Sequence, residues 1–227
     1  MDGRTLHFHL AGINNQNFIM QDEETGSWWQ QVSGEAIFGA LRGRRLKSVF
    51  HEELSFDLWR RERPEGRILR PGADPVWKKF SEDWETSTAK LPVVTPAKPD
   101  SPLPPRELVI GVTVNGTAKA YPFAAIEKQS PIIDVVGAVP LVLVLGDDRR
   151  SVRAFDRRVD GRRLELVVKT DVSPLRLVDL ETGSEWDFAG EAVSGPLAGK
   201  RLAPIFVLKD YWFDWLTYNP ETRLHEP

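Results

Sequence analysis

The chain has 227 residues and not one cysteine. That excludes disulfides, thiol nucleophiles, iron–sulfur clusters and cysteine-ligated zinc in a single step. Only four histidines are present, and no serine sits in a Gly-x-Ser-x-Gly elbow, so the sequence offers no sign of a serine hydrolase. A Walker loop and a dinucleotide fingerprint are both missing. Long apolar runs are missing too. VPLVLVL at Val139–Leu145 is strand length, far short of the roughly 20 residues a membrane helix needs, so no transmembrane segment is expected. Met1-Asp2-Gly3-Arg4 lacks the apolar core of a signal peptide; taken literally, the chain is soluble and not exported. Charge of one sign is scarce. The 30 basic and 33 acidic residues interleave to a net −3, leaving no polybasic stripe for nucleic acid.

What remains is an ordinary globular composition, 41% hydrophobic and 28% charged, enough to bury a core in one large or two small domains. The most informative feature is internal. ETGSWWQQVSGEAIFG at Glu24–Gly39 returns as ETGSEWDFAGEAVSG at Glu181–Gly195. The offset is 181 − 24 = 157, and 156 after one deletion. Gly39, Leu41, Gly43, Arg45 and Leu46 then align with Gly195, Leu197, Gly199, Arg201 and Leu202, and Trp59 and Pro64 with Trp215 and Pro220. Upstream, Asp2-Gly3-Arg4 aligns with Asp160-Gly161-Arg162. Copy two has a further stretch before that turn, from about Glu107, whereas copy one lacks its first half. The sequence therefore reads as residues 1–70, the C-terminal half of copy one; 71–90, a connecting amphipathic helix; 91–106, a proline-rich linker or strap; and 107–227, a complete copy two. The linker carries six prolines in Pro92–Pro105, which rules out regular structure there.

Short β-branched segments between turn residues predict a mainly β (α+β) fold, with two related β-rich subdomains and short terminal helices. Asn115-Gly116 predicts a type I′ hairpin within Leu108–Pro122. Val159–Arg162 predicts a turn between strands Arg150–Phe155 and Arg163–Val168. Each ETGS predicts a hairpin tip with glycine in the left-handed region. Helices are expected at Asp74–Thr86, with Trp77, Phe80 and Trp84 on one stripe, at Ser55–Arg63 and at Lys209–Tyr218. Half a β-domain leaves strand edges unpaired, which predicts a protein partner or self-association through them.

IGVTVNGTAKAYP, AFDRRVDGR, ETGSEW and GEAVSGPLAGKRL, spread over roughly 107–227, together resemble the bacterial domain of unknown function three-one-seven-nine. Copy one is similar to its second half only. The resemblance implies a β-rich fold but no reaction. Members also carry a CPLCG pair and a histidine, which suit metal binding or redox exchange. Here the pair falls on Gly146 and Arg149 and the histidine on Gln129, while Asp134 is kept. Copy two is therefore a degenerate, structural copy. Members often look exported, so the resemblance implies an extracytoplasmic setting, with Met1 an internal start.

Two constellations remain in copy one. His7 and His9, at i and i+2 on a predicted strand, share a face and with His51, or Glu52 or Glu53 beside it, could ligate a metal, although a half-exposed strand with polar outward residues is the favoured explanation. No other cofactor is expected. Asn14, Asn15, Asn17, Trp28, Trp29, Gln30 and Gln31 combine amides with indoles, which read peptides or sugars, although adjacent tryptophans on a strand point to opposite faces. A non-catalytic binding or scaffold protein is the leading expectation. A metal- or redox-linked enzyme using His7, His9 and His51, and carbohydrate binding through the Trp and Asn residues, are the alternatives.

Overall fold

The computed structural model describes residues 3–14, 17–70, 72, 78–79, 82–94 and 100–226. It is mainly β with a few short helices. Its contacts divide the chain into two units, Met1–His51 with Val93–Asp100, and Glu52–Pro92 with Ser101–Pro227. Residues 52–70, aligned above with copy one, fall in the second unit.

The first unit is an antiparallel meander of β1 (Phe8–Asn14), β2 (Asn17–Asp22), β3 (Trp28–Gln30) and β4 (Ala36–Phe38). The Glu24-Thr25-Gly26 turn joins β2 to β3, with Gly26 at φ 67°. Buried Asp22 sits beneath it. Its carboxylate accepts from Trp29 Nε1 at 2.7 Å, from Thr25 Oγ1 at 2.9 Å and from the Thr25 amide at 2.6 Å. Burial pushes this carboxyl's pKa up, but the donated bonds outweigh burial and hold it below the usual range. Ser27 Oγ accepts from the Leu41 amide at 3.0 Å. This brings the chain so close that a Cβ on Gly39 would lie 2.7 Å from Ser27 Cα. ETGS is thus a turn and a clasp for the strand that follows.

The second unit begins with α1 (Phe56–Glu62), capped by Ser55, and α2 (Trp84–Thr88). The rest of the expected Asp74–Thr86 helix, Trp77 and Phe80 included, largely lies outside the described residues. Next come β5 (Leu108–Val114), β6 (Thr117–Pro122), α3 (Phe123–Gln129), β7 (Ile132–Val136), β8 (Val139–Leu145) and β9 (Val152–Asp156). The pair β10 (Arg158–Val159) and β11 (Arg162–Arg163) follows, then a meander of β12 (Leu166–Val168), β13 (Arg176–Asp179), β14 (Glu185–Asp187) and β15 (Ala192–Ser194). The chain closes with β16 (Ala203–Ile205), β17 (Val207–Tyr211), α4 (Trp212–Tyr218) and β18 (Arg223–Leu224).

These strands form sheets β17-β5-β6-β18, β16-β9-β8-β7 and β12-β13-β14-β15, besides the β10–β11 pair. The β5–β6 turn has Asn115 at φ 48° and Gly116 at φ 75°, as a type I′ hairpin requires. Strand β8 explains its own unbroken apolar run. Val142 and Val144 enter a core with Phe155, Leu166, Leu177 and Trp186, while Leu141, Leu143 and Leu145 enter another with Ile110, Tyr121 and Ile126. A strand buried on both faces has no polar side to alternate with.

Two expectations are corrected. The Asp160-Gly161 turn joins only the two-residue strands β10 and β11, because Val152–Asp156 pairs with β8 and β16 instead. The last helix starts at Trp212, not Lys209. Val207–Tyr211 extends along the edge of β5, which satisfies its backbone without a helix.

Candidate functional site

The amide-and-indole stretch of copy one is split by its strand. Trp29 is 1% exposed and bonded to Asp22, so it is core. Trp28 faces outward against Phe38, ring centroids 5.5 Å apart. Asn14 is exposed and Asn17 buried, while Asn15 lies outside the described residues. Gln30 Oε1 accepts from Ser33 Oγ at 2.7 Å, and Gln31 Oε1 from the Phe18 amide at 3.2 Å. Of the aromatic pair, Trp28 alone is available to a ligand.

The histidines have separate partners. His7 Nδ1 lies 2.6 Å from Glu24 Oε1, and this bond raises the imidazole's pKa. His9 Nε2 lies 3.2 Å from Gln21 Oε1, and His51 Nδ1 is 3.3 Å from the Val49 carbonyl oxygen. Among the described residues no group of three or more histidines and carboxylates could hold a metal. Glu52 turns instead to Arg153, whose guanidinium it shares with Glu62.

The meanders of the two units carry the same bonds at aligned positions. Trp186 Nε1 donates to Asp179 at 2.9 Å, and Ser184 Oγ accepts from the Leu197 amide at 2.9 Å. Their apolar faces differ in cover. In the second unit Leu166 and Leu202 are 1% and 3% exposed, sealed with Val142, Val144 and Phe155 of the neighbouring sheet. Their counterparts in the first unit, Phe8 and Leu46, are 37% and 39% exposed. Leu10 and Ile13 on β1 are also exposed. The sequence hid this face, because an apolar residue on a strand reads as core whether or not anything covers it.

A cleft in the second unit, about 450 Å³, was also not legible. Glu53, Trp84, Leu108, Arg150, Lys209 and Asp210 are among its lining residues. Burial, then the charge of Asp214, pushes the Asp210 carboxyl up to about 8. The Asp210 carboxyl thus keeps its proton at neutral pH. Its sequence signal was the Asp-x-x-x-Asp spacing of 210 and 214.

The motif residues kept from copy two gather around Asp134. Its carboxylate accepts from Lys119 Nζ at 2.6 Å and Tyr121 Oη at 2.7 Å, with His225 Nδ1 at 3.9 Å. Burial opposes its charge, but these donors prevail and lower its pKa; burial and then Asp134 raise that of Tyr121. The family model for a protein of unknown function, DUF3179, matches residues 1–222. The chain belongs to this family. No curated protein and no solved structure matches it.

In this DUF3179 chain the positions onto which the sequence resemblance places a thiol pair and a histidine lie together in the fold. Gln129 ends α3, and Gly146 and Arg149 form the turn after β8. Arg149 Nη2 donates to the Glu127 carbonyl at 3.1 Å, and Gln129 Oε1 lies 3.0 Å from His225 Nε2. A glycine, a guanidinium and an amide do not fit a metal or a redox pair. The turn is held by side chain to helix-end bonds instead.

Proposed function

We propose that the chain is a non-catalytic binding protein whose first unit holds a partner polypeptide against the apolar face of its sheet. One observation carries this reading: Phe8 and Leu46 stand exposed where their counterparts Leu166 and Leu202 in the second unit are sealed by a neighbouring sheet, and Leu10 and Ile13 add further exposed apolar surface on β1. Contiguous exposed apolar surface of this kind marks an interaction site. The twin also suggests the partner's chemistry, a sheet presenting valines and a phenylalanine as β8 and β9 do. The test is quantitative co-isolation from the native cell, comparing the wild-type chain with Leu10→Lys/Ile13→Lys. A stoichiometric companion that is lost in the variant supports the reading. An identical set of companions for both chains refutes it.

A further inference from the structure

Helices α1 and α4 align at an offset of 156, and their ends are built alike. The Trp59 carbonyl accepts from the Arg63 amide at 2.8 Å, and the Trp215 carbonyl from the Asn219 amide at 2.9 Å. The cap residues have φ and ψ of −133° and 66° in one and −131° and 65° in the other. What differs is what lies against them. Beside α4, Leu208, Trp212, Trp215 and Leu224 pack on Val109 and Ala120 of the β5–β6 hairpin. The six-membered ring of Trp215 rests on Gly111, where a Cβ would come within 2.2 Å. The residues aligned with those four are Glu52, Phe56, Trp59 and Ile68. All four line an open groove of about 400 Å³, together with Leu54, Glu62 and Arg63. Trp212 is 3% exposed and its counterpart Phe56 55%. Residues 51–55 belong to no strand, whereas the aligned Val207–Tyr211 pairs with β5.

We propose that this groove is a docking site for an extended β-strand of a partner polypeptide, with a glycine facing Trp59, a β-branched neighbour and acidic flanks. The glycine follows from the indole. In the twin site any side chain at Gly111 would overlap Trp215 at Cζ3 and Cε3, so a strand crossing that part of the Trp59 ring must leave the space empty; the chain's own Gly66 lies against Trp59 at Cζ2 and Cη2. The β-branched neighbour follows from the apolar lining, which Val109 meets in the twin strand. The acidic flanks follow from charge. Of the five arginines in residues 60–70, Arg60 pairs with Asp57, and the other four stand against Glu65 and Glu62, which is itself committed to Arg153. This inference rests on reading the chain as a binding protein, but it uses a different surface.

The probe is a fluorescein-labelled peptide with the sequence of Glu107–Pro122, titrated with the full chain and read by anisotropy. The expected result is saturable binding, weakened about tenfold or more by Gly111→Val in the peptide. Phe56→Lys or Ile68→Lys in the chain has the same effect; both side chains are exposed, and far-UV circular dichroism verifies the fold. Glutamates added to the peptide ends tighten binding. Absence of saturable binding, or binding indifferent to the glycine and to both lysines, overturns the proposal. The Leu10→Lys/Ile13→Lys comparison is unaffected by that failure, so the two readings fail separately.

Discussion

Arg153→Met is the substitution whose consequence follows most directly from the structure. The Arg153 side chain is 6% exposed. It donates to Glu52 Oε1 at 2.6 Å and to Glu62 Oε1 and Oε2, both at 2.7 Å, and lies 4.7 Å over the Phe188 ring. Burial works against the guanidinium's charge, but the two glutamates outweigh it and raise the pKa. Methionine fills much of the volume but leaves two carboxylates facing each other with no cation between them. Breaking such a pair from one side costs about 3–5 kcal/mol. With Glu52→Gln and Glu62→Gln added, the repulsion is gone and amides replace the charges. The triple variant is then expected to recover more than half of the loss, because a well-packed neutral replacement is close to neutral overall. Urea unfolding with an unchanged slope measures both steps. A loss below about 1 kcal/mol for Arg153→Met, the size of an exposed pair, would refute the reasoning. So would a triple variant no more stable than the single one. The result also bears on function, since this clamp fixes α1 and with it the proposed strand groove.

Two further outcomes follow from the second unit. Asp210 has its folded pKa raised to about 8 from 3.8, so the folded state holds the extra proton between those values. Stability therefore falls as pH rises through that window, by no more than about 1.4 kcal/mol per pH unit for one proton. Asp210→Asn should flatten the slope and exceed the wild type at pH 8, and superimposable pH–stability curves would contradict the assignment. Gly195 has φ 86° and leaves a Cβ only 2.6 Å from Ser184 Cα, whereas Gly199 has φ 82° with open space around it. Gly199→Ala is expected to cost about 1–2 kcal/mol for its backbone alone, and Gly195→Ala clearly more; equal melting shifts would remove the clasp argument.

Much of the fold was legible because local chemistry decides it. Asn115-Gly116 and both Glu-Thr-Gly tips demand φ > 0, and the structure places left-handed residues at each. Val139–Leu145 read as a strand from length alone. The failures are of another kind. Val207–Tyr211 looked helical because Trp212 and Trp215 behind it have helical spacing, and only the free edge of β5, almost a hundred residues away, makes it a strand. The Trp28-Trp29 pair drew attention as a surface. Yet Asp22, seven residues before Trp29, takes that indole inside, and Trp28 alone stays out. The exposed face of β1 and the groove beside α1 left no trace in the sequence, since cover is a property of what lies opposite. They became visible because Phe8, Leu46 and the groove residues have covered counterparts in the second unit.

The central claim is that these uncovered apolar surfaces are occupied when the protein works. Native mass spectrometry of the particle isolated gently from its own cell tests it most directly. The account predicts a mass above that of one chain by a fixed amount, matching one further polypeptide and lost in the Leu10→Lys/Ile13→Lys variant. A single species with the mass of one chain alone, unchanged by the lysines, would contradict it.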